Sequence, residues 1–210
     1  MHGMVTMHRE PIRVNRPKLF ALAALAVTVA MSAFTGLGKP SPEGKAPRFL
    51  ANNEIALPEN YREWVFVSSG VGMSYDPAES QRSGNPPFNN VFVKPEAYRS
   101  FMKTGTWPNG TMFVMEVRRS KTNESINKTG SFQADLLGIE AEVKDESRFP
   151  AKWGFYKFTN SATTGTLLPA ATTECQSCHS QHGAVDNTFV QFYPTLFEVA
   201  KKKGTVKDQY

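Results

Sequence analysis

Cys175-Gln176-Ser177-Cys178-His179 is the stretch from which the rest of this 210-residue chain can be read. Two thiols at this spacing can each add to a vinyl group of haem, and the imidazole that follows is placed to ligate the iron from one side. The stretch therefore reads as an attachment site for one covalently bound haem c, with Cys175 and Cys178 as the tether and His179 as the axial iron ligand. A zinc site needs about four ligands. The chain holds no further cysteine, and its remaining histidines are His2, His8 and His182. A thioredoxin-like pair would stand in a βαβ setting near the start of a domain, whereas this one lies toward the C-terminal end. With both cysteines committed to haem, none is left for a structural disulfide.

The length suits one domain with a substantial core, and the 40 % hydrophobic fraction is that of an ordinary globular protein. The N-terminus reads differently. Arg9, Arg13, Arg16 and Lys18 precede an apolar run from Leu19 to Ala33 with small residues at Ala30, Ser32 and Ala33, the order of a secretory signal. Carried on to Leu37 the run reaches about 19 residues, close to the length that spans a bilayer, so an uncleaved inner-membrane anchor is the alternative for residues 1–33. Of the formal charge of +5, the segment 1–33 holds four basic residues and one acidic residue, leaving +2 for the remainder. The sequence pI of 9.2 thus partly reflects targeting and makes no case for nucleic-acid binding. Export and a haem c motif support one another, as the resemblance to bacterial c-type cytochromes implies, and the expected compartment is the periplasm.

Residues 34–54 read as a flexible linker, with Gly36, Gly38, Pro40, Pro42, Gly44 and Pro47, and the haem domain is expected over 55–210. Glu63 to Ser69 has strand-forming residue types and ends at Gly70, and Asn90 to Val93 is a short second strand. Pro95 and Gly105 bracket a helix whose Ala97, Tyr98, Phe101 and Met102 share an apolar face. Thr111 to Val117 follows as a strand with Thr111, Phe113, Met115 and Val117 on one side. Arg118 to Gly130 is polar and reads as a connection. Phe132 to Val143 is a longer strand or strand pair with a bulge at Gly138, and Trp153 to Phe158 is another strand. Ser161 to Thr173 is small and polar, and a last helix is expected from Pro194 to Gly204. The sum is about five strands with short helices, an α+β fold that is mainly antiparallel sheet packed around the haem. That order argues against the small, nearly all-helical cytochromes c.

Several separate motifs recur in one order over residues 55–203: Leu57-Pro58-Glu59-Asn60-Tyr61-Arg62-Glu63-Trp64-Val65, Val91-Phe92-Val93-Lys94-Pro95-Glu96-Ala97-Tyr98, Lys103-Thr104-Gly105, Gly138-Ile139-Glu140-Ala141, Val143-Lys144-Asp145, Arg148-Phe149-Pro150, and the haem motif followed by Phe192-Tyr193-Pro194. In these the chain resembles the cytochrome P460 family, which includes the cytochromes c′-β. The resemblance implies a homodimer with a five-coordinate haem iron that binds small nitrogen compounds. It also implies that a lysine cross-linked to the haem edge marks the hydroxylamine-oxidising branch; Met115 stands at that position here, and a thioether cannot make the bond. Glu140 falls on the family's Gly-x-Glu carboxylate, which the resemblance makes a proton acceptor over the haem.

For Glu140 as bare chemistry, a carboxylate near the iron could accept protons during oxidation of an N–H or O–H substrate, while the plain alternative is a solvated strand residue. Met115 has three readings: haem-facing packing, which ranks first, a sixth ligand giving a His/Met electron carrier, or plain core. Phe113, two residues away on the same face, joins it in lining the distal pocket. The expected function is binding or redox processing of a small nitrogen oxide, NO first, with hydroxylamine oxidation and simple electron transfer as alternatives. The expected partners are that small molecule, a periplasmic redox protein and a second copy of the chain, with contact to membrane only if the N-terminal segment stays attached.

Overall fold

Alternating residues of the central strands become the two faces of one sheet. The structure is a computed structural model describing residues 46–75, 85–159, 163–170 and 174–210. The expected signal, 1–33, and the first part of the expected linker lie outside the described residues. Among those described, seven strands run in chain order: β1 (Ile55–Ala56), β2 (Val65–Val71), β3 (Phe88–Val93), β4 (Met112–Lys121), β5 (Phe132–Lys144), β6 (Trp153–Phe158) and β7 (Thr164–Leu167). They form one sheet in the order β1-β7-β6-β5-β4-β3-β2. Every pairing is antiparallel, so from β2 to β7 the chain is a meander and β1 adds itself at the far edge. Three helices accompany it: α1 (Pro95–Thr104), α2 (Cys175–His182) and α3 (Pro194–Lys203). The expected α+β class, mainly antiparallel, is the class observed.

Each face has its own core. On one, Val93, Phe113 and Phe155 pack with Ala97 and Phe101 of α1, and with Leu196 and Ala200 of α3. On the other, Met112, Val114, Val143, Tyr156 and Phe158 pack with Ile55, Tyr61 and Phe149. Each fully buried large apolar side chain here contributes about 1.5–3 kcal/mol relative to leaving it in water. Proline at the start and left-handed Gly105 at the end, φ 76°, delimit α1 where the sequence places them. A Cβ on Gly105 would also meet the Lys203 side chain at 2.7 Å, so the same glycine lets the end of α3 close on α1.

Four stretches differ from the sequence reading. Arg118 to Lys121 belongs to β4 rather than to a connection, because Arg118 turns back to Glu116 and Ser120 is buried on the same face. Thr164–Leu167 is strand despite its small polar residues: Gly165 pairs with Phe158 and leaves room for that ring, which a Cβ would meet at 2.6 Å. Arg48 to Leu50, read as linker, already bonds to the sheet region, with Arg48 O accepting from Ala56 N and Phe49 packing on Phe149. The haem motif itself is helical. Its polar Gln, Ser and His residues give no apolar period, so no helix was legible there. The bulge expected at Gly138 occurs beside it: Val117 faces Gly138 while Arg118 faces Leu136, leaving Leu137 unmatched.

The second core holds a buried acid. Glu116, 2 % exposed, accepts from Tyr61 and Arg118 and contacts Arg62. Burial pushes its carboxyl up, but the hydrogen bonds from Arg118 and Tyr61 and the two guanidinium charges prevail and hold it below the usual range. A carboxyl lowered in the fold stabilises above its unfolded value of about 4.5 and loses that contribution as pH falls through the lowered folded value. Glu116→Gln is therefore expected to lower stability by about 1–3 kcal/mol at pH 7. The deficit should shrink at an acid pH, below the unfolded value of about 4.5, as pH falls toward the lowered folded value. Urea unfolding of both proteins at the two pH values checks it.

Candidate haem site

A cavity of about 960 Å³ borders part of the first face, beside the aromatic residues Phe113, Phe155 and Tyr193 of that face's core. Its sheet wall consists of two cross-strand rows. Phe113, Glu142 and Phe155 lie side by side in one, and Val91, Met115 and Glu140 in the next. Neighbouring strands stand about 4.8 Å apart and alternate residues share a face, which is why β4 and β5 bring these side chains to one surface. The opposite wall is α2 with the segment after it.

Cys175, Cys178 and His179 occupy positions i, i+3 and i+4 of an eight-residue helix, hence one face, and all three line the cavity. Both thiols are free and partly exposed. Burial, with Cys175 and Glu174 nearby, pushes the Cys178 thiol up. The His179 ring lies between Phe155 and Phe189, with centroids 4.5 and 4.3 Å away. Its Nδ1 donates to the Asn187 carbonyl at 3.0 Å, the tautomer following from that acceptor. Burial pushes the imidazole down to about 4, against the pull of the Asn187 bond, so at neutral pH the ring is uncharged with its Nε2 lone pair free.

Of the other residues singled out in the sequence, Glu140 and Met115 face each other across β5 and β4 and both line the cavity. Phe113 lines it too, but it is only 2 % exposed and packs among Trp107, Trp153 and Tyr193 in the row nearer His179. Sequence reasoning passed over Glu142. It pairs with Phe113, and its Oε2 stands 3.3 Å from His179 Nδ1 while making no hydrogen bond. Burial, then the charge of Asp186, pushes its carboxyl up to about 8, so it is mostly neutral at pH 7. The signal for it was present: two residues after Glu140 on a strand, it had to share that residue's face. Asn187 was also missed, since Asp-Asn with φ of 48° and 59° is a turn signal the reading did not use.

Two thiols and one neutral imidazole on the same wall of a largely apolar cavity are the donor set that haem requires. Among the described residues no three His, Cys, Asp or Glu side chains converge on a metal position, so the zinc reading of the motif finds no further ligands. The family model for cytochrome P460 matches residues 58–190. This chain belongs to the cytochrome P460 family. No curated protein sequence matches it. Membership implies a haem cofactor, and the matched span includes β2 to β7 and the whole of α2, the elements that form both walls of the cavity.

The close passage of the 183–188 segment over α2 makes a further demand. A Cβ on Gly183 would lie 2.6 Å from both the Asn187 carbonyl carbon and the His179 oxygen, backbone atoms that cannot swing aside. Gly183→Ala is expected to lower stability by about 1–3 kcal/mol through overpacking and to reduce haem content. Thermal unfolding together with the haem-to-protein absorbance ratio measures both.

Proposed function

We propose that this is an exported, periplasmic mono-haem c protein that binds or redox-processes a small nitrogen oxide, with NO as the first ligand. Cys175 and Cys178 hold the haem and His179 ligates its iron. The observation carrying this reading is that both thiols and the neutral imidazole face one cavity whose opposite floor holds Met115, where the cross-linking branch of the family has lysine. When bound, the haem supplies an iron centre able to take an exogenous ligand and to change oxidation state by one electron. The chain's own residues set what reaches it. Val91, Met115, Phe189 and Phe192 give the cavity apolar walls, which favour a small, weakly polar gas over ligands that need several hydrogen bonds.

Hydroxylamine oxidation is the second reading, and the placement of Glu140 favours it. Its carboxylate lines the cavity beside Met115, where it can accept protons as an N–H or O–H substrate is oxidised. The reading further includes a homodimer and a periplasmic redox partner. Self-association is supported by the outer edge of β2, whose Phe66 and Val71 are more than half exposed at the end of the sheet.

Absorption spectra of the dithionite-reduced protein before and after NO test this. A high-spin ferrous spectrum that converts promptly on adding NO, and that Met115→Leu leaves unchanged, is the expected result. A low-spin spectrum that becomes high-spin in Met115→Leu would instead make methionine the sixth ligand and the protein an electron carrier. A strongly red-shifted Soret band would put hydroxylamine oxidation first. Glu140→Gln is expected to change NO affinity by less than about threefold, and to lower any hydroxylamine oxidation by about 100-fold, the usual contribution of a proton acceptor.

A further inference from the structure

The carbonyl that orients His179 belongs to a turn with an unusual conformation. Asp186 and Asn187 are its central residues, with φ of 48° and 59°, and Val185 and Thr188 close it by paired backbone bonds. Two successive left-handed residues are the pattern of a type I′ turn, which glycine enters most easily and Asp or Asn only at some cost. Such a turn persists where its surroundings hold it.

Two anchors reach it from the sheet side. Trp107 Nε1 donates to Thr188 Oγ1 at 2.8 Å, and that hydroxyl donates to Val185 O at 2.7 Å. The other anchor is charged: the Lys144 ammonium pairs with Asp186 Oδ2, donates to Trp107 O at 2.8 Å, and has Glu146 Oε1 at 3.4 Å. Lys144 is 6 % exposed, stands at the end of β5, and follows Glu142 by two residues on the same face. A buried ammonium with a directed set of acceptors fixes geometry strongly, since removing either partner leaves an uncompensated charge.

We propose that Lys144 is a positioning residue for the axial ligand. Its ion pair with Asp186 holds the turn so that Asn187 O meets His179 Nδ1, and this sets both the rotation of the imidazole and the electron donation from Nε2. Acceptors behind a ligating histidine fix the ring and raise its basicity; Lys144 acts one step further back, on the acceptor. The inference rests on His179 being the iron ligand, as proposed above.

The ferrous holo-protein provides the test. The iron–histidine stretching band in resonance Raman and the midpoint potential are measured for the unmodified chain, Lys144→Met, Asp186→Asn and Ile55→Ala. The last removes buried side chain from the opposite core and touches nothing at the site. Lys144→Met and Asp186→Asn are expected to broaden the band, move it to lower frequency and raise the potential. Ile55→Ala is expected to lower the melting temperature and leave band and potential in place. If Lys144→Met fails to fold, Asp186→Asn decides, because asparagine keeps the shape and left-handed tolerance of the residue it replaces. Unmoved band and potential in the foldable site variants, or an equal shift in Ile55→Ala, would overturn the inference. Absence of an iron–histidine band from the unmodified protein would overturn the ligand assignment, and this inference with it.

Discussion

One hydrogen bond, from His179 Nδ1 to the Asn187 carbonyl, decides what the cavity can be. It occupies the nitrogen that faces the sheet and leaves the other as the only lone pair of the ring, so the imidazole has one direction in which to bind a metal. Burial between Phe155 and Phe189 keeps the ring neutral and stops it from turning over. Everything nearby serves this geometry. The two thiols follow from helical spacing, the turn from its two anchors, and the sheet wall from the register of β4 with β5.

The sheet wall shows how few residues separate structure from chemistry. Along β4, Met112 and Val114 point to one core while Phe113 and Met115 point to the face that holds the cavity, and along β5 Ala141 and Val143 alternate with Glu140 and Glu142. Two carboxylates thus come to the cavity on neighbouring rows, with different surroundings. Glu142, enclosed beside the imidazole, is pushed toward the neutral form; Glu140, one row further along, is only half-buried. A one-residue slip between β4 and β5 would send both into the apolar core.

Much of this was legible in the sequence because it rests on local rules. Alternation marked β4, strand-forming residue types marked β5 and β6, proline and glycine delimited α1 and α3, and cysteine spacing singled out the two thiols that line the cavity. The elements that escaped depend on distant partners. β7 is strand because Gly165 accepts the Phe158 ring, and the continuation of β4 beyond Val117 is set by Glu116 and the hairpin partner rather than by its own polar residues. Helix α2 has no apolar face of its own, since the wall it would bury is meant for a cofactor. Glu142 was within reach of the alternation rule but stood in the shadow of Glu140, to which the family resemblance drew attention.

The main chain of Lys207 donates to Ala184 O, and its ammonium reaches Ser180 O and Gln181 O, so the segment after α3 straps the end of the haem helix. Among the described residues the seven strands end at residue 167, while the strap that fastens α2 lies forty residues further along the chain. The helix that carries both thiols is therefore fastened by residues that belong neither to the sheet nor to that helix. Loosening that strap would thus free one wall of the cavity while leaving the sheet wall as it stands.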